Sequence, residues 1–157
     1  RWGLREPIRG LIDRGVPVLG TCAGLILLAR DIVDGDEPVF PVLDVSVKRN
    51  AFGRQLDSFE ADVDVSILGD TPVHAVFIRA PVVETVAGEV DVLGRLEDGS
   101  VVAVRQRNVI ATAFHPELSA EVRFHRLLTT MAGAYEEPAE GSGRRPHPTR
   151  RGLERTR

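Results

Sequence analysis

The sequence predicts a single α/β domain, and three observations support this prediction. The chain has 157 residues, a length that fits one domain. An apolar run at residues 16–19 leads directly into a helix-forming segment at residues 23–30, which indicates a strand, a tight turn and a helix. Six later segments carry strand patterns, and an amphipathic helix follows the last of them. We therefore expect helices packed against a sheet.

The composition excludes several classes of protein. Hydrophobic residues make up 43% of the chain, enough at this length to bury a core without disulfides, so a disordered or collagen-like chain is excluded. The formal charge of -3 and the lack of a basic stripe argue against nucleic acid as a partner. The single cysteine, Cys22, excludes an intrachain disulfide and a multi-cysteine zinc site. With no membrane span or signal peptide in the sequence, we expect a cytoplasmic protein.

The first elements follow from helical spacing and glycine positions. Ile8, Leu11 and Ile12 recur at helical spacing after Pro7, and Gly15 stands where a helix commonly ends, so residues 7–14 are predicted to be helical. The apolar strand at residues 16–19 and the helix at residues 23–30 come next.

The middle of the chain is predicted to consist of strands. Segments that alternate between polar and apolar residues or are continuously apolar lie at residues 42–48, 60–65, 74–80, 90–96, 101–106 and 109–114. Residues 50–55 form a turn-rich loop, and residues 97–100 contain the Asp-Gly pair of a hairpin turn. Ser119 is a candidate N-cap for a last helix. The apolar residues of that helix are Val122, Phe124, Leu127, Leu128 and Met131.

The composition changes near residue 136. Residues 1–135 form the predicted domain, whereas residues 136–157 are rich in Arg, Pro and Gly, without an apolar period, and are predicted to be a disordered tail. The chain opens on Arg1 with residues that lead into a helix, so we expect it to begin within a domain.

The strongest local feature is the segment GTCAG at residues 20–24, where the predicted strand turns into a helix. Glycines on both sides permit a tight, strained turn that presents the Cys22 side chain. The N-terminus of the following helix would lower the pKa of the thiol, and the Ala23 N–H would be one oxyanion donor. The alternative is that Cys22 is a small buried hydrophobe.

A thiol nucleophile needs a base, and His115 with Glu117 supplies a candidate pair after the last strand. Glu117 could hold the imidazole in one tautomer and stabilise the imidazolium, giving a triad with Cys22. The alternative is a histidine satisfied at a strand end beside a solvated carboxylate. A metal site made of His115, Glu117 and His125 matches no known ligand spacing, and we expect no metal.

Two arginine-bearing segments are candidates for binding a charged substrate. One contains Arg49, and the other is residues 77–81, which contain Ile78 and Arg79. Guanidinium groups bind carboxylates with paired hydrogen bonds, although a surface ion pair is the commoner role of such arginines. No phosphate-binding loop and no dinucleotide-binding motif is present in the sequence.

These motifs together resemble the glutaminase subunits of pyridoxal 5'-phosphate synthase, within the class I glutamine amidotransferases. The resemblance lies in residues 20–29, in RNAFGRQ at 49–55 with DSFE at 57–60, in FIRAP at 77–81 and in FHPEL at 114–118. It extends from about residue 3 to residue 132. It implies a three-layer, flavodoxin-like α/β domain with a mixed sheet, whose first strands and one oxyanion loop are missing before residue 1.

The resemblance also implies a function. L-Glutamine would be hydrolysed to glutamate and ammonia, with Cys22 as nucleophile, His115 as general acid and base, and Glu117 as its orienting group. Arg49, Ile78 and Arg79 match positions that line the glutamine site in the family. No cofactor is expected, and the partner would be a barrel-shaped, oligomeric synthase subunit.

Two other hypotheses about the function stay open. One is a non-catalytic subunit that docks on the synthase without hydrolysing glutamine. The other is a thiol hydrolase of different specificity, such as a peptidase.

Overall fold

The computed structural model describes residues 3–33, 35, 37–49 and 58–136. The loop predicted at residues 50–55 lies outside the described residues, as does the predicted tail beyond residue 136.

The described residues form three α-helices, nine β-strands and two short 3-10 turns. The helices are α1 (Arg5–Asp13), α2 (Ala23–Leu28) and α3 (Arg123–Gly133). The strands are β1 (Val18–Thr21), β2 (Ala29–Ile32), β3 (Leu43–Lys48), β4 (Ser58–Val63), β5 (Val73–Ile78), β6 (Val82–Val86), β7 (Asp91–Arg95), β8 (Val101–Gln106) and β9 (Val109–Thr112). The 3-10 turns are Ser66–Leu68 and Pro116–Leu118. None of these helices is both long and apolar enough to cross a membrane.

Seven of the strands form one sheet. Its order is β1-β9-β8-β6-β3-β2, and β7 pairs with β8. β1 runs parallel to β9 and β2 runs parallel to β3, whereas β3 with β6 and β8 with β9 are antiparallel pairs. β4 and β5 form a separate antiparallel hairpin, with Ser58 opposite Ile78. The predicted α/β fold with a mixed sheet is confirmed.

The core is built around β8 and β9. Residues 101–104 and all of β9 are buried, and successive side chains of a strand point to opposite faces, so both faces of the sheet are covered here. α2 lies against β1 and β9. A row of aromatic rings begins at Phe59 in the hairpin and runs through Phe77 and Phe114 to Phe124 of α3. The hairpin and α3 are thereby joined to the end of β9.

The predicted hairpin turn after β7 is confirmed. The Leu96 N–H donates to the Ser100 carbonyl at 2.9 Å, and the Asp98 carboxylate accepts the Ser100 N–H at 2.8 Å. Gly99 has a φ of 87°, a conformation that glycine adopts without strain.

Two strands were not predicted from the sequence. The helix predicted at residues 23–30 ends at Leu28, and Ala29 and Arg30 begin β2. Ala29 is extended, with a ψ of 146°, and pairs with β3. Strand pairing therefore overrides the helix-forming composition of these residues. β6 was also missed, because this strand has only five residues and two of them, Glu84 and Thr85, are polar.

Ser119 does not cap α3. The N-cap position is Val122, which makes no side-chain cap, and the Ser119 hydroxyl instead donates to the Pro116 carbonyl at 3.3 Å. The Glu121 carboxylate accepts the Arg123 N–H at 2.7 Å, so Glu121 and not Ser119 satisfies a donor at the start of this helix. Arg123 then binds the Thr71 and Pro72 carbonyls, which fixes α3 to the start of β5.

Candidate active site

Cys22 occupies a sharp turn between β1 and α2, as the sequence predicted. Its backbone has φ 48° and ψ −102°, a strained conformation for a residue with a side chain. The Cys22 N–H donates to the Thr112 carbonyl at 2.8 Å, and its own carbonyl accepts the Leu25 N–H at 3.0 Å. The turn is therefore anchored to β9 on one side and to α2 on the other.

Gly20 allows α2 to pack tightly over β1. A Cβ at this position would clash with Leu28 Cδ1 and would lie 3.0 Å from the Gly24 carbonyl carbon. At Gly24 itself a Cβ would meet no described atom within 4 Å. The steric requirement of the turn thus falls on the first glycine of the motif and not on the second.

The Cys22 thiol is partly exposed, so it is not the fully buried hydrophobe of the alternative reading. Its Sγ lies 3.8 Å from the Ile78 carbonyl oxygen, to which it donates. Burial raises the pKa of the thiol; the Ala23 N–H and the Arg79 charge act in the opposite direction, while the Glu117 charge adds to the rise. The predicted lowering of the pKa is wrong in its net direction, because burial outweighs the helix N-terminus.

His115 and Glu117 form the predicted pair. The His115 Nδ1 and Glu117 Oε1 lie 2.7 Å apart, and the imidazole is more buried than the carboxylate, with side-chain exposures of 22% and 43%. When Nδ1–H donates to the carboxylate, the neutral ring keeps Nε2 as its basic nitrogen. Burial alone would raise the pKa of Glu117, but the hydrogen bond and charge of His115 bring it below its ordinary value.

The topology brings Cys22 and His115 to one edge of the sheet. β1 and β9 are parallel neighbours with Thr21 opposite Thr112, so the residues that follow both strands leave the sheet at the same edge. The Glu117 charge contributes to the raised pKa of the Cys22 thiol. Among the hydrogen bonds of the described residues, none joins Sγ to the imidazole; catalytic hydrogen bonds are often long before substrate binds.

The end of β5 contacts both the backbone of His115 and the thiol of Cys22. The Val76 carbonyl accepts the His115 N–H at 2.8 Å, and two residues later the Ile78 carbonyl faces Cys22 Sγ. Arg79 comes next, with a φ of 43°, and its charge opposes the rise in the pKa of Cys22. The structure therefore places Ile78 and Arg79, both predicted from the sequence, beside the thiol.

Arg49 lies at a neighbouring strand end. It is half-buried and directly follows Lys48, whose register partner is Val82, three residues after Arg79. Residues 50–57, which complete the arginine-bearing segment, lie outside the described residues. A role for Arg49 in binding substrate stays a prediction.

Sequence reasoning missed Thr112. This residue is fully buried, its carbonyl accepts the Cys22 N–H, and its hydroxyl donates to the Phe114 carbonyl at 2.9 Å. The available signal was a hydroxyl residue within the otherwise apolar segment at 109–114.

Nothing in the sequence predicted the surroundings of His74 either. Its ring lies between two carboxylates of β4, with Nε2 2.8 Å from Glu60 Oε2 and Nδ1 3.1 Å from Asp62 Oδ1. Within the described part of the chain, no three His, Cys, Asp or Glu residues are grouped so as to hold a metal ion.

Comparison with known proteins gives consistent results. A model described as the SNO glutamine amidotransferase family matches residues 1–133. The chain is 56% identical over 133 residues to a pyridoxal 5'-phosphate synthase subunit PdxT from Clavibacter michiganensis, a match that covers 83% of this chain and 64% of that protein. It is 53% identical over 143 residues to the protein of the same name from Frankia alni, covering 90% of this chain and 69% of that one.

A solved structure described as a glutamine amidotransferase is similar in fold. It matches with a TM-score of 0.77 and 45% sequence identity, and the match covers 84% of this chain and 69% of that chain. The predicted amidotransferase-like fold is confirmed. The chain spans less than two thirds of the length of the Clavibacter protein.

Proposed function

Because the chain belongs to the SNO glutamine amidotransferase family, we propose that it hydrolyses L-glutamine to L-glutamate and ammonia for pyridoxal 5'-phosphate synthesis. The observation that carries this proposal is the thiol of Cys22 on a strained turn, at the sheet edge where the hydrogen-bonded pair of His115 and Glu117 follows the adjacent parallel strand. The name of the similar proteins supports the choice of pathway. The descriptions of the matching family and of the similar solved structure as glutamine amidotransferases support the choice of substrate.

The first half of the reaction cleaves the amide. The Cys22 sulfur attacks the side-chain carbonyl carbon of glutamine as its proton passes to His115 Nε2, and a tetrahedral oxyanion forms. The Ala23 N–H is the donor that we assign to this oxyanion. The C–N bond then breaks as His115 returns the proton to the departing nitrogen, leaving a glutamyl thioester and free ammonia.

The second half regenerates the thiol. His115 takes a proton from a water molecule, the hydroxide adds to the thioester carbonyl, and the C–S bond breaks with return of the proton to sulfur. Glu117 stabilises the imidazolium that forms in both halves. Since burial raises the pKa of Cys22, the resting site holds a neutral thiol, and proton transfer to His115 accompanies the attack.

Substrate recognition is assigned to the groups around β5. The Ile78 carbonyl is an acceptor suited to an ammonium group, and the guanidinium groups of Arg79 and Arg49 suit a carboxylate. Glutamine carries both charges on its α-carbon. These three residues would therefore hold the end of the substrate that does not react.

The partner is the synthase subunit implied by the name of the relatives, and it would consume the ammonia. We expect the barrel shape and oligomeric state of that partner from the family resemblance alone. A reducing cytoplasm, which keeps a lone cysteine as a free thiol, suits this mechanism.

The test is glutamate release from L-glutamine, measured for the chain alone and with its synthase partner. Cys22→Ala should lower turnover by at least about 10⁴-fold, because the nucleophile is lost. Ser66→Ala, on an exposed 3-10 turn, is the matched control and should leave turnover unchanged. Equal turnover by Cys22→Ala and the unaltered chain would refute the mechanism. No release by the unaltered chain under either condition would favour the non-catalytic docking subunit.

A further inference from the structure

The buried hydroxyl of Thr112 has a defined place beside the site. Thr112 and Gln106 are the two polar residues among those described that are buried as whole residues, and Thr112 is fully buried in an apolar strand. Its hydroxyl donates to the carbonyl oxygen of Phe114, two residues further along the chain, at 2.9 Å. A hydroxyl in such a position needs a partner, and it finds one in the segment that leads to His115.

The peptide group between Phe114 and His115 is held at both ends. Its oxygen accepts the Thr112 hydroxyl, and its N–H donates to the Val76 carbonyl of β5 at 2.8 Å. Two residues before His115, the Ala113 N–H still donates to the Val102 carbonyl of β8. The chain therefore turns from the main sheet toward the hairpin within two residues, and the hydroxyl of Thr112 spans that turn.

The backbone of Thr112 supports the other half of the site. Its carbonyl accepts the N–H of Cys22 at 2.8 Å, and its Cα is in register with Thr21. A single residue thus makes one hydrogen bond to the turn that carries the thiol and another to the peptide that carries the imidazole.

We propose that Thr112 is a positioning residue that sets the imidazole of His115 relative to the sulfur of Cys22 through its hydroxyl bond to Phe114. This inference rests on the proposed glutaminase function. The buried ring of Phe114, packed edge to face against Phe77 and Phe124, keeps the same turn in place from the apolar side. The hydroxyl supplies the orientation of the peptide that ring packing does not fix.

Removal of the hydroxyl at constant shape tests the proposal. Thr112→Val should lower kcat by about 10- to 100-fold, because a displacement of about 1 Å is enough to cause such a loss. KM should change by less than about 3-fold, because Ile78, Arg79 and Arg49 keep their places. Thr112→Ser, which keeps the hydroxyl and loses a methyl group, should restore kcat to within about 3-fold.

Thr85→Val is the matched control, because it removes a strand hydroxyl that bonds to Ser46 Oγ at 2.7 Å in an exposed position. It should leave kcat unchanged. Equal losses of kcat in Thr112→Val and Thr112→Ser would assign the residue to packing and overturn the proposal, as would an unchanged kcat in Thr112→Val.

A second measurement does not depend on turnover. Amide hydrogen exchange at His115 should become faster in Thr112→Val but not in Thr112→Ser, while exchange at Ile110 in the core of β9 should stay the same in both. Unchanged exchange at His115 in Thr112→Val would overturn the proposal. Absence of glutamate release by the unaltered chain would refute the proposed function instead, and the exchange result would still decide the role of Thr112.

Discussion

Two histidines in this molecule are paired with carboxylates, and they differ in ways that separate structural from chemical roles. His115 follows the buried strand β9, has a side chain 22% exposed and bonds one carboxylate, that of Glu117. His74 lies on the hairpin strand β5, is 54% exposed and stands between Glu60 and Asp62. Hydrogen-bond lengths alone would not identify which member of this pair to propose as catalytic.

The difference lies in the second ring nitrogen. In His74 both nitrogens face carboxylates, and these contacts favour the imidazolium, the form in which both nitrogens donate and neither can accept a proton. The bonds from Asp62 and then Glu60 raise the pKa of His74 accordingly. His115 uses only Nδ1 for its carboxylate, which leaves Nε2 as a base. A single carboxylate orients the imidazole and leaves one ring nitrogen able to accept a proton. Two carboxylates, one at each nitrogen, favour the protonated ring, which cannot act as a base.

The largest expected effect is the difference in glutamine turnover between the asparagine variants of the two histidines. His115→Asn should lower glutamine turnover by about 10²- to 10⁴-fold, the contribution of a general acid and base. His74→Asn should change turnover by less than about 2-fold, because an exposed ring on the outside of the hairpin takes no part in proton transfer. Steady-state glutamate release at saturating glutamine measures both.

Circular dichroism of both variants is the control that they remain folded. A loss in His74→Asn as large as that in His115→Asn would contradict the distinction drawn from the ring nitrogens. Equal activity of His115→Asn and the unaltered chain would remove His115 from the mechanism.

The site could be predicted from the sequence where its parts are close along the chain. The turn at Cys22 requires Gly20, two residues before it, and Glu117 is only two residues from His115 along the chain. His74 was missed because its partners are 12 and 14 residues away across a hairpin, and only the register of β4 with β5 brings them together. Contacts between residues close along the chain could be predicted from the sequence, whereas contacts between strands could be identified only from the structure.

The same limit applies to the fold and to the thiol. β2 forms because β3 supplies hydrogen-bond partners, although its first residues, Ala29 and Arg30, have helix-forming composition. β6 has strand-forming residues, but the segment is only five residues long. The pKa of Cys22 was predicted in the wrong direction, since burial by the surrounding elements cannot be read from the GTCAG motif. The tertiary environment, and not the local sequence, decides that β2 forms and that the pKa of Cys22 is raised.

An intermediate effect is expected on the titration of Cys22. The Glu117 charge raises the pKa of the thiol and the Arg79 charge lowers it, so Glu117→Gln should lower this pKa and Arg79→Gln should raise it. Because the chain has one cysteine, the pH dependence of its alkylation by iodoacetamide reports Cys22 alone. The unaltered chain should titrate above the ordinary value of a cysteine.

Glu60→Gln is the matched control, because it removes a carboxylate that pairs with His74 and not with His115. It should leave the alkylation midpoint unchanged. Shifts of the same sign in Glu117→Gln and Arg79→Gln would show that the two charges do not act on the sulfur as proposed.

The smallest effect is expected on stability through His74. Its pKa is raised in the folded state, chiefly by Asp62, so its bonds stabilise the protein fully below the pKa of an unfolded histidine, about 6.5. This stabilisation is lost as the pH rises through the folded-state pKa. His74→Asn should therefore lower the midpoint of urea unfolding at pH 5 and have less effect at pH 9. Because the pair is exposed, added salt should reduce the difference at pH 5. A larger loss at pH 9 than at pH 5 would mean that His74 acts through packing and not through its charge.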